Sequence, residues 1–329
     1  MTVSLISITQ ILTHPAFIWT LVALVLPGLI LWIASYFVAS YCVYNSTLRR
    51  KGADTWSREM PTDLEPEAKE MYLTGLRWHE ENSDKMREVS VERDGFKLYG
   101  EYYDFGSDSC AVILSGRTES LRYGYYFAIP YAKCGMNILV FDPRAHGKSD
   151  GEFNTVGFEE SLDDLVWLDL LTRELGNKKI ILHGICIGAA GGILAITSGK
   201  CPSSVAGIVT EGMFKNFSES VKNHLIERKK PVFIMLDLID MQMKRYTGHS
   251  MKKGPYDVID KMTLPLLMLH SKEDIYSTPV NAEKLFNKCQ SENKKLVWFE
   301  HGRHSMLRIT DTELYDSSIT SFVNSIIKS

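Results

Sequence analysis

The first 48 residues contain no Lys, Arg, Asp or Glu, and this constrains the fold more than any other feature of the sequence. All 37 basic and 40 acidic side chains lie from Arg49 onward. There they make up roughly a quarter of the residues, an ordinary proportion for a soluble domain. The chain therefore combines two unlike parts, which excludes a wholly soluble protein, a protein with many membrane spans and a disordered chain.

The apolar stretch at residues 16–43 predicts a transmembrane helix. As a helix it would reach roughly 42 Å, enough to cross a hydrocarbon core of about 30 Å with some tilt. Trp19 lies near one end, and Pro27 in the middle is expected to kink the helix. Three tyrosines near the other end match a membrane interface: Tyr36, Tyr41 and Tyr44.

Two other interpretations of this stretch are a cleavable signal peptide and a buried helix of a soluble domain. A signal peptide normally has a basic start and an apolar core of about 7–15 residues, and neither is found here. We therefore predict that residues 1–48 are the anchor of a single-pass cell-membrane protein. Basic residues follow the span at 49–51 and none precede it, which predicts a cytoplasmic catalytic domain.

The remainder predicts one α/β domain. Residues 49–88 are expected to form a linker and a helix, with helical spacing at 64–82, and residues 89–329 the domain itself. An alternating segment around Asp94-Gly95 predicts a β-hairpin. Short apolar runs then alternate with helical segments, which predicts a mostly parallel sheet with helices on both faces. The six runs cover residues 110–116, 136–142, 179–185, 205–211, 264–270 and 295–301.

An insertion at about 212–262 interrupts this alternation and predicts a small helical cap. It is rich in Met and Phe, which would suit an adaptable pocket for an acyl chain. Ordinary packing of a helix pair onto the sheet explains the same composition. The residues concerned are Met213, Phe214, Phe217, Phe233, Met235, Met241, Met243 and Met251.

Several classes of function are disfavoured. A net charge of −3 gives no electrostatic footprint for nucleic acid. The six cysteines are scattered, without the spacing of a disulfide scaffold or a zinc site. The glycines at 184–192 lack the spacing of a dinucleotide-binding turn, and His301 with His304 has no evident third metal ligand. We therefore expect neither a cofactor nor a metal.

The sequence His183-Gly-Ile-Cys-Ile-Gly188 follows a predicted strand and leads into a helix of small residues. This pattern predicts a nucleophile elbow with cysteine at the position of the usual serine. Small flanking residues are needed because the turn is tight. Cys186 would lie at a helix N-terminus, where the dipole favours a thiolate, and the Ile187 amide would be one oxyanion donor. A buried structural cysteine is the alternative.

A nucleophile needs a base that a third group orients. Asp274, with Glu273 beside it, follows the fifth apolar run, and His304 follows the sixth. His301 is the rival base, although it ends the strand rather than entering the loop. His146 follows another run, and we expect it to brace the site rather than to react.

These motifs resemble the α/β-hydrolase superfamily, and more narrowly the bacterial membrane-anchored hydrolases of the serine-aminopeptidase-like group. The resemblance covers about residues 65–327. It is carried by five segments: DGFKLYG, VFDPRAHGKSDGEF, ILHGICIGAAGG, YDVIDKMTLPLLMLHSKED and HGRHS.

The resemblance implies a catalytic triad and an oxyanion hole. Cys186, Asp274 and His304 match the nucleophile, acid and base, and the amides of Arg117 and Ile187 match the oxyanion donors. The chain departs from the group at the elbow cysteine, at Ser115 in place of histidine, and at Ser271 in place of glycine. The loop after the acid also looks one residue longer than usual.

Three functions remain open. The first is a thiol-dependent hydrolase of an ester or thioester, with a small-molecule acyl substrate that a lipid could supply. The second is an acyltransferase that uses the same acyl-cysteine with an amine, hydroxyl or thiol acceptor. The third is a membrane-tethered binding protein whose triad has degenerated. The acyl group, the leaving group and the oligomeric state are not predictable from the sequence.

Overall fold

A computed structural model of the chain describes residues 14–327. The helices in this range are α1 (Pro15–Leu48), α2 (Pro66–Glu81), α3 (Leu121–Lys133), α4 (Phe158–Asp169), α5 (Ile187–Thr197), α6 (Phe217–Glu227), α7 (Met235–Thr247), α8 (Pro279–Lys288), α9 (Leu307–Thr310) and α10 (Thr312–Ile327). The strands are β1 (Met86–Arg93), β2 (Phe96–Tyr103), β3 (Ser109–Leu114), β4 (Asn137–Phe141), β5 (Lys179–Ile185), β6 (Val205–Glu211), β7 (Leu266–Ser271) and β8 (Lys294–Phe299).

The strands of the described chain form one sheet in the order β1-β2-β4-β3-β5-β6-β7-β8. The β1–β2 and β2–β4 pairs are antiparallel, and every later pair is parallel. The carboxyl ends of the parallel strands therefore meet at one edge, where the loops after β3, β5, β7 and β8 lie. The hairpin and the six predicted strands are present, with ends that shift by at most two residues.

The core lies on both faces of this sheet. Successive strand residues alternate between two hydrophobic clusters, as with Ile113 in one cluster and Val112 and Leu114 in the other. Helices cover both clusters, as expected for strands that are apolar along their whole length. The α/β-hydrolase fold predicted from the sequence is confirmed.

Helix α1 has two parts with different surroundings. Every described residue up to Ser35 is exposed, and this part is roughly 32 Å long, the thickness of a hydrocarbon core. From Tyr36 onward the buried and half-buried positions recur at helical spacing: 36, 39–41, 43–45, 47 and 48. The helix is therefore long and apolar enough to cross a membrane, and its last turns belong to the soluble domain.

One expectation about α1 needs correction. Tyr44 was predicted at a membrane interface, yet it is completely buried. Its ring packs against those of Phe153 and Tyr246, with centroid separations of 5.9 and 5.5 Å, and these two rings also contact each other. An apolar helix face looks the same in sequence whether lipid or protein covers it, so only the tertiary structure distinguishes the two.

The segment after α1 is bound closely to the domain. Arg49 pairs with Glu152, and the Arg50 guanidinium donates to the carbonyl oxygens of Gly147 and Ser149. Trp56 then stacks on His146 at 4.7 Å. These contacts continue the packing of the helix, so α1 and the rest of the chain are not joined by a free tether.

The proposed domain division remains a prediction, and its residues 1–13 and 328–329 lie outside the described range. The predicted helix at 64–82 is present as α2, which packs on α3. The predicted cap region contains α6 and α7. Most of its Met and Phe side chains are buried in the core, whereas Phe233 and Met241 are exposed.

Candidate active site

Cys186 lies in the sharp turn between β5 and α5. Its backbone dihedrals are φ 51° and ψ −106°, a conformation that an L-residue adopts only under constraint. The amide of Cys186 donates to the Glu211 carbonyl oxygen at 2.9 Å, which ties the turn to the end of β6. A strained strand-to-helix turn presents its central side chain at the carboxyl edge of the sheet, as a nucleophile elbow requires.

Steric crowding explains why glycine occupies positions 184 and 188, on either side of the elbow. A Cβ on Gly184 would lie 2.4 Å from the Cα of Ala189, inside the turn itself. A Cβ on Gly188 would lie 2.0 Å from the carbonyl oxygen of Leu114, at the end of β3. Both contacts involve backbone atoms, so a side chain at either position would force the turn or β3 to move.

Asp274 and His304 come together at the same edge of the sheet. The Nδ1 atom of His304 lies 2.7 Å from Oδ2 of Asp274. The other carboxylate oxygen, Oδ1, accepts from the amides of Tyr276 at 2.9 Å and Ser277 at 2.8 Å. Asp274 is therefore fixed by its own loop, and it holds the imidazole in one orientation.

The Asp274 carboxylate and the His304 imidazolium each stabilise the charged form of the other. Burial disfavours an ionised carboxyl, yet the His304 imidazole and these hydrogen bonds hold the pKa of Asp274 below its ordinary value. Burial likewise disfavours an imidazolium, but Cys186 and Asp274 raise the pKa of His304 well above its ordinary value. An imidazole so placed readily accepts a proton from the thiol.

Cys186 and His304 line one cavity of about 200 Å³. The residues around it come from the loop after β3, the elbow, helix α6 and the loops after β7 and β8. They are Gly116, Arg117, Glu119, Cys186, Phe217, Ser220, His224, Tyr276, His304 and Ser305. Cys186 is 9 % exposed, so its side chain is almost fully enclosed by these residues and their neighbours.

Of the two predicted oxyanion donors, Arg117 lines the cavity, and Ile187 directly follows Cys186, which also lines it. Arg117 follows β3, and its neighbour Gly116 donates its amide to the Glu119 carboxylate at 2.8 Å. Ile187 is the first residue of α5, where backbone amides have no partner within the helix. The Arg117 guanidinium donates to the carbonyl oxygen of Thr47 at 3.3 Å, so the last turn of α1 contacts this loop.

The rival residues occupy other positions. His301 is exposed and bonds Glu273 at 3.0 Å. His146 is completely buried, accepts the Thr118 amide at Nε2 (3.1 Å) and contacts the Arg144 carbonyl oxygen at Nδ1 (2.8 Å). Burial lowers the pKa of His146 to about 4, so it braces the loop after β3 as a neutral ring. Among the residues that the structure describes, no His, Cys, Asp or Glu side chains group to hold a metal ion.

Several residues of the site were not foreseen from the sequence. Glu119 lines the cavity, and burial raises its pKa to about 7. His224 stacks on Tyr276 at 3.8 Å, and burial lowers its pKa to about 4. Glu211, at the end of β6, accepts from the Leu307 amide at 3.0 Å. No short motif contains these residues, because they meet only when the loops and the cap fold together.

A groove of about 1260 Å³ opens beside the cavity and shares Tyr276 and His304 with it. One wall is the segment between α1 and α2, including Trp56 and Met60. The opposite wall comes from the loops after β7 and β8, where Arg303 pairs with Glu65. The groove gives the larger part of a substrate room outside the cavity that holds the thiol.

Two family models match parts of the chain. The model described as alpha/beta hydrolase fold matches residues 112–237, and the model described as serine aminopeptidase, S33 matches residues 221–312. An uncharacterised protein of Bacillus subtilis, YqkD, is 27% identical over 220 residues, which are 66% of this chain and 70% of that protein. An uncharacterised membrane protein of Saccharomyces cerevisiae is 25% identical over 230 residues, 67% of this chain and 74% of that one.

Solved structures share the same architecture. The Pyrococcus furiosus esterase Pf2001 superposes with a TM-score of 0.61 at 21% identity, covering 75% of this chain and 95% of that one. An esterase from Exiguobacterium antarcticum gives a TM-score of 0.54 at 17% identity, over 72% and 99% of the two chains. This chain therefore has the α/β-hydrolase fold, and the two family models match consecutive parts of it, from residue 112 to residue 312.

Proposed function

We propose that this chain is a membrane-anchored acyl hydrolase with a cysteine nucleophile, acting on an ester or thioester. One observation carries the proposal above the others. The strained elbow cysteine shares a cavity with a histidine that an aspartate orients at 2.7 Å. The fold of the esterase neighbours supports a hydrolase, and the thiol and the acyl-enzyme are our extension of that support.

The proposed reaction has two steps. Sγ of Cys186 attacks the acyl carbonyl carbon while Nε2 of His304 accepts the thiol proton, and the amides of Arg117 and Ile187 stabilise the oxyanion. The imidazolium, oriented by Asp274, gives that proton to the leaving oxygen or sulfur, which departs. His304 then takes a proton from water, the hydroxide cleaves the thioester, and the carboxylic acid and the free thiol are released.

The membrane anchor suits an apolar substrate. We infer that the exposed part of α1 crosses the cell membrane with the domain on the cytoplasmic side, because the basic residues follow the span. This would keep the cavity close to lipid-derived acyl compounds. Protease digestion of sealed cells and of inverted vesicles tests the orientation: the domain should be cut only in the inverted vesicles.

Intact-protein mass spectrometry tests the nucleophile. Incubation with activated esters and acyl thioesters should add the mass of one acyl group to the wild type, and Cys186→Ala should add none. Cys42→Ser is the matched control, since Cys42 is exposed on α1, outside the site, and its loss should leave the adduct unchanged. An adduct that survives in Cys186→Ala, or no adduct with any ester in the wild type, contradicts the proposal.

A further inference from the structure

The loop between α6 and α7, residues 228–234, is exposed in an unusual way. Phe233 is 81 % exposed, and Ile234 and the preceding Ile226 are also exposed. The basic run Arg228-Lys229-Lys230 lies between Ile226 and Phe233 in the sequence and is exposed as well. Large apolar residues beside a basic run are the composition of a segment that lies in a membrane interface.

The loop is held in this shape by its surroundings. Val232 is partly buried and packs against the core, while its neighbour Phe233 points away from the protein. Lys229 and Ile234 have positive φ values of 52° and 62°. Such a backbone is costly for a β-branched residue and persists only where the structure imposes it. The exposure of Phe233 is therefore built into the fold of the cap.

The packing of α7 on α1 brings the cap next to the helix that we propose spans the membrane. Tyr246, at the C-terminal end of α7, stacks on Tyr44 at 5.5 Å. The face of α1 that the domain covers extends back to Tyr36, and α7 is the element packed along it. The loop at residues 228–234 leads directly into the N-terminal end of α7, so it belongs to the part of the cap that packs on α1.

We propose that residues 228–234 insert into the anionic surface of the bilayer that α1 spans. Phe233 and Ile234 would enter the boundary between headgroups and acyl chains, and the basic run would contact anionic headgroups. The inference rests on the proposed membrane span, and it is independent of the chemistry at Cys186. Because α6 lines the catalytic cavity and leads directly into this loop, the bilayer would then contact the cap that covers the site.

Hydrogen exchange of the full chain, reconstituted in vesicles, tests this contact. Phosphatidylcholine vesicles with and without phosphatidylglycerol are compared, and the amides of residues 228–234 are followed by mass spectrometry. We expect slower exchange in the anionic vesicles, by about fivefold for each basic side chain that reaches the headgroups. Phe233→Ser and the double variant Lys229→Glu, Lys230→Glu should lose this protection.

A matched control is Val280→Ser, because Val280 is also exposed, at 59 %, but lies on α8. This variant should keep the protection. If the amides of residues 228–234 exchange equally fast in both lipids and in all variants while the chain stays inserted, the docking inference is wrong and the proposed span stands. If the chain is extracted from the vesicles by alkaline carbonate, the span and the docking fail together. If the protection from exchange depends on the protein-to-lipid ratio rather than on lipid charge, the loop contacts another copy of the chain. That result would also overturn the docking inference.

Discussion

Replacing Asp274 by asparagine tests the proposed base with almost no change of shape. Two backbone amides, those of Tyr276 and Ser277, donate to Oδ1 of Asp274, and His304 lies at Oδ2. Asparagine has one oxygen, and the two amides would hold it at the position of Oδ1. The NH2 group of the new side chain must then face Nδ1 of His304.

This arrangement reverses the tautomer of His304. An NH2 group can only donate, so Nδ1 must become the acceptor and the imidazole proton must move to Nε2. Nε2 then cannot accept the thiol proton. Replacing a hydrogen bond to a charged carboxylate by a neutral one costs about 1 kcal/mol, or roughly fivefold. With the wrong tautomer added, we expect acylation of Cys186 to slow by about 10³- to 10⁴-fold, the range known for such triads.

The rate of acyl-enzyme formation with an activated thioester, followed by mass spectrometry or stopped flow, measures this effect. Glu273→Gln is the matched control, because this neighbouring carboxylate bonds the exposed His301 instead. Its rate should stay within about threefold of the wild type, the scale of an exposed ion pair. If Asp274→Asn, with an unchanged thermal midpoint, acylates as fast as Glu273→Gln, then Asp274 does not orient the base.

Three further variants test other parts of the structure. Gly188→Ala places a Cβ 2.0 Å from a β3 carbonyl oxygen, so we expect a loss of about 1–3 kcal/mol in urea unfolding and about 100-fold slower acylation, while Gly52→Ala, which has open space, should change neither. The pKa of Glu119 is raised to about 7 from an ordinary 4.5, so the folded state favours the protonated carboxyl group. The contribution of Glu119 to folding stability is therefore fully present below pH 4.5 and is lost as the pH rises through 7. Glu119→Gln should raise the thermal midpoint at pH 8 and leave it nearly unchanged at pH 4. Tyr44→Ala removes a buried aromatic ring and should cost about 3–5 kcal/mol in detergent, whereas Phe37→Ala, on the exposed face of α1, should cost far less; equal losses would mean that the last turns of α1 do not pack on the domain.

Much of the fold could be predicted because it depends on local patterns. Strands such as β5 and β7 are buried on both sides and are mostly apolar, so their runs stand out against the helices. The loops that follow parallel strands share one edge of the sheet by topology alone. For this reason Cys186, Asp274 and His304 could be expected together, although their roles remain to be tested.

The rest of the site depends on contacts between distant segments. Glu119 meets Gly116 within one loop, but its burial in the cavity requires the cap and the elbow as well. His224 and Tyr276 are 52 positions apart and stack only because α6 folds over the loop after β7. Nor does composition separate the exposed turns of α1 from those that the domain covers.

Because α1 is one continuous helix, it also fixes the angle about its axis between its exposed turns and the domain. Each residue of an α-helix adds a rotation of about 100° and a rise of 1.5 Å. One residue inserted before Tyr36 would turn the whole domain by about 100° about the helix axis and shift it by only about 1.5 Å. The number of residues in the exposed part therefore determines how the domain is rotated about the helix axis. This constraint is separate from the length of the exposed part in ångströms.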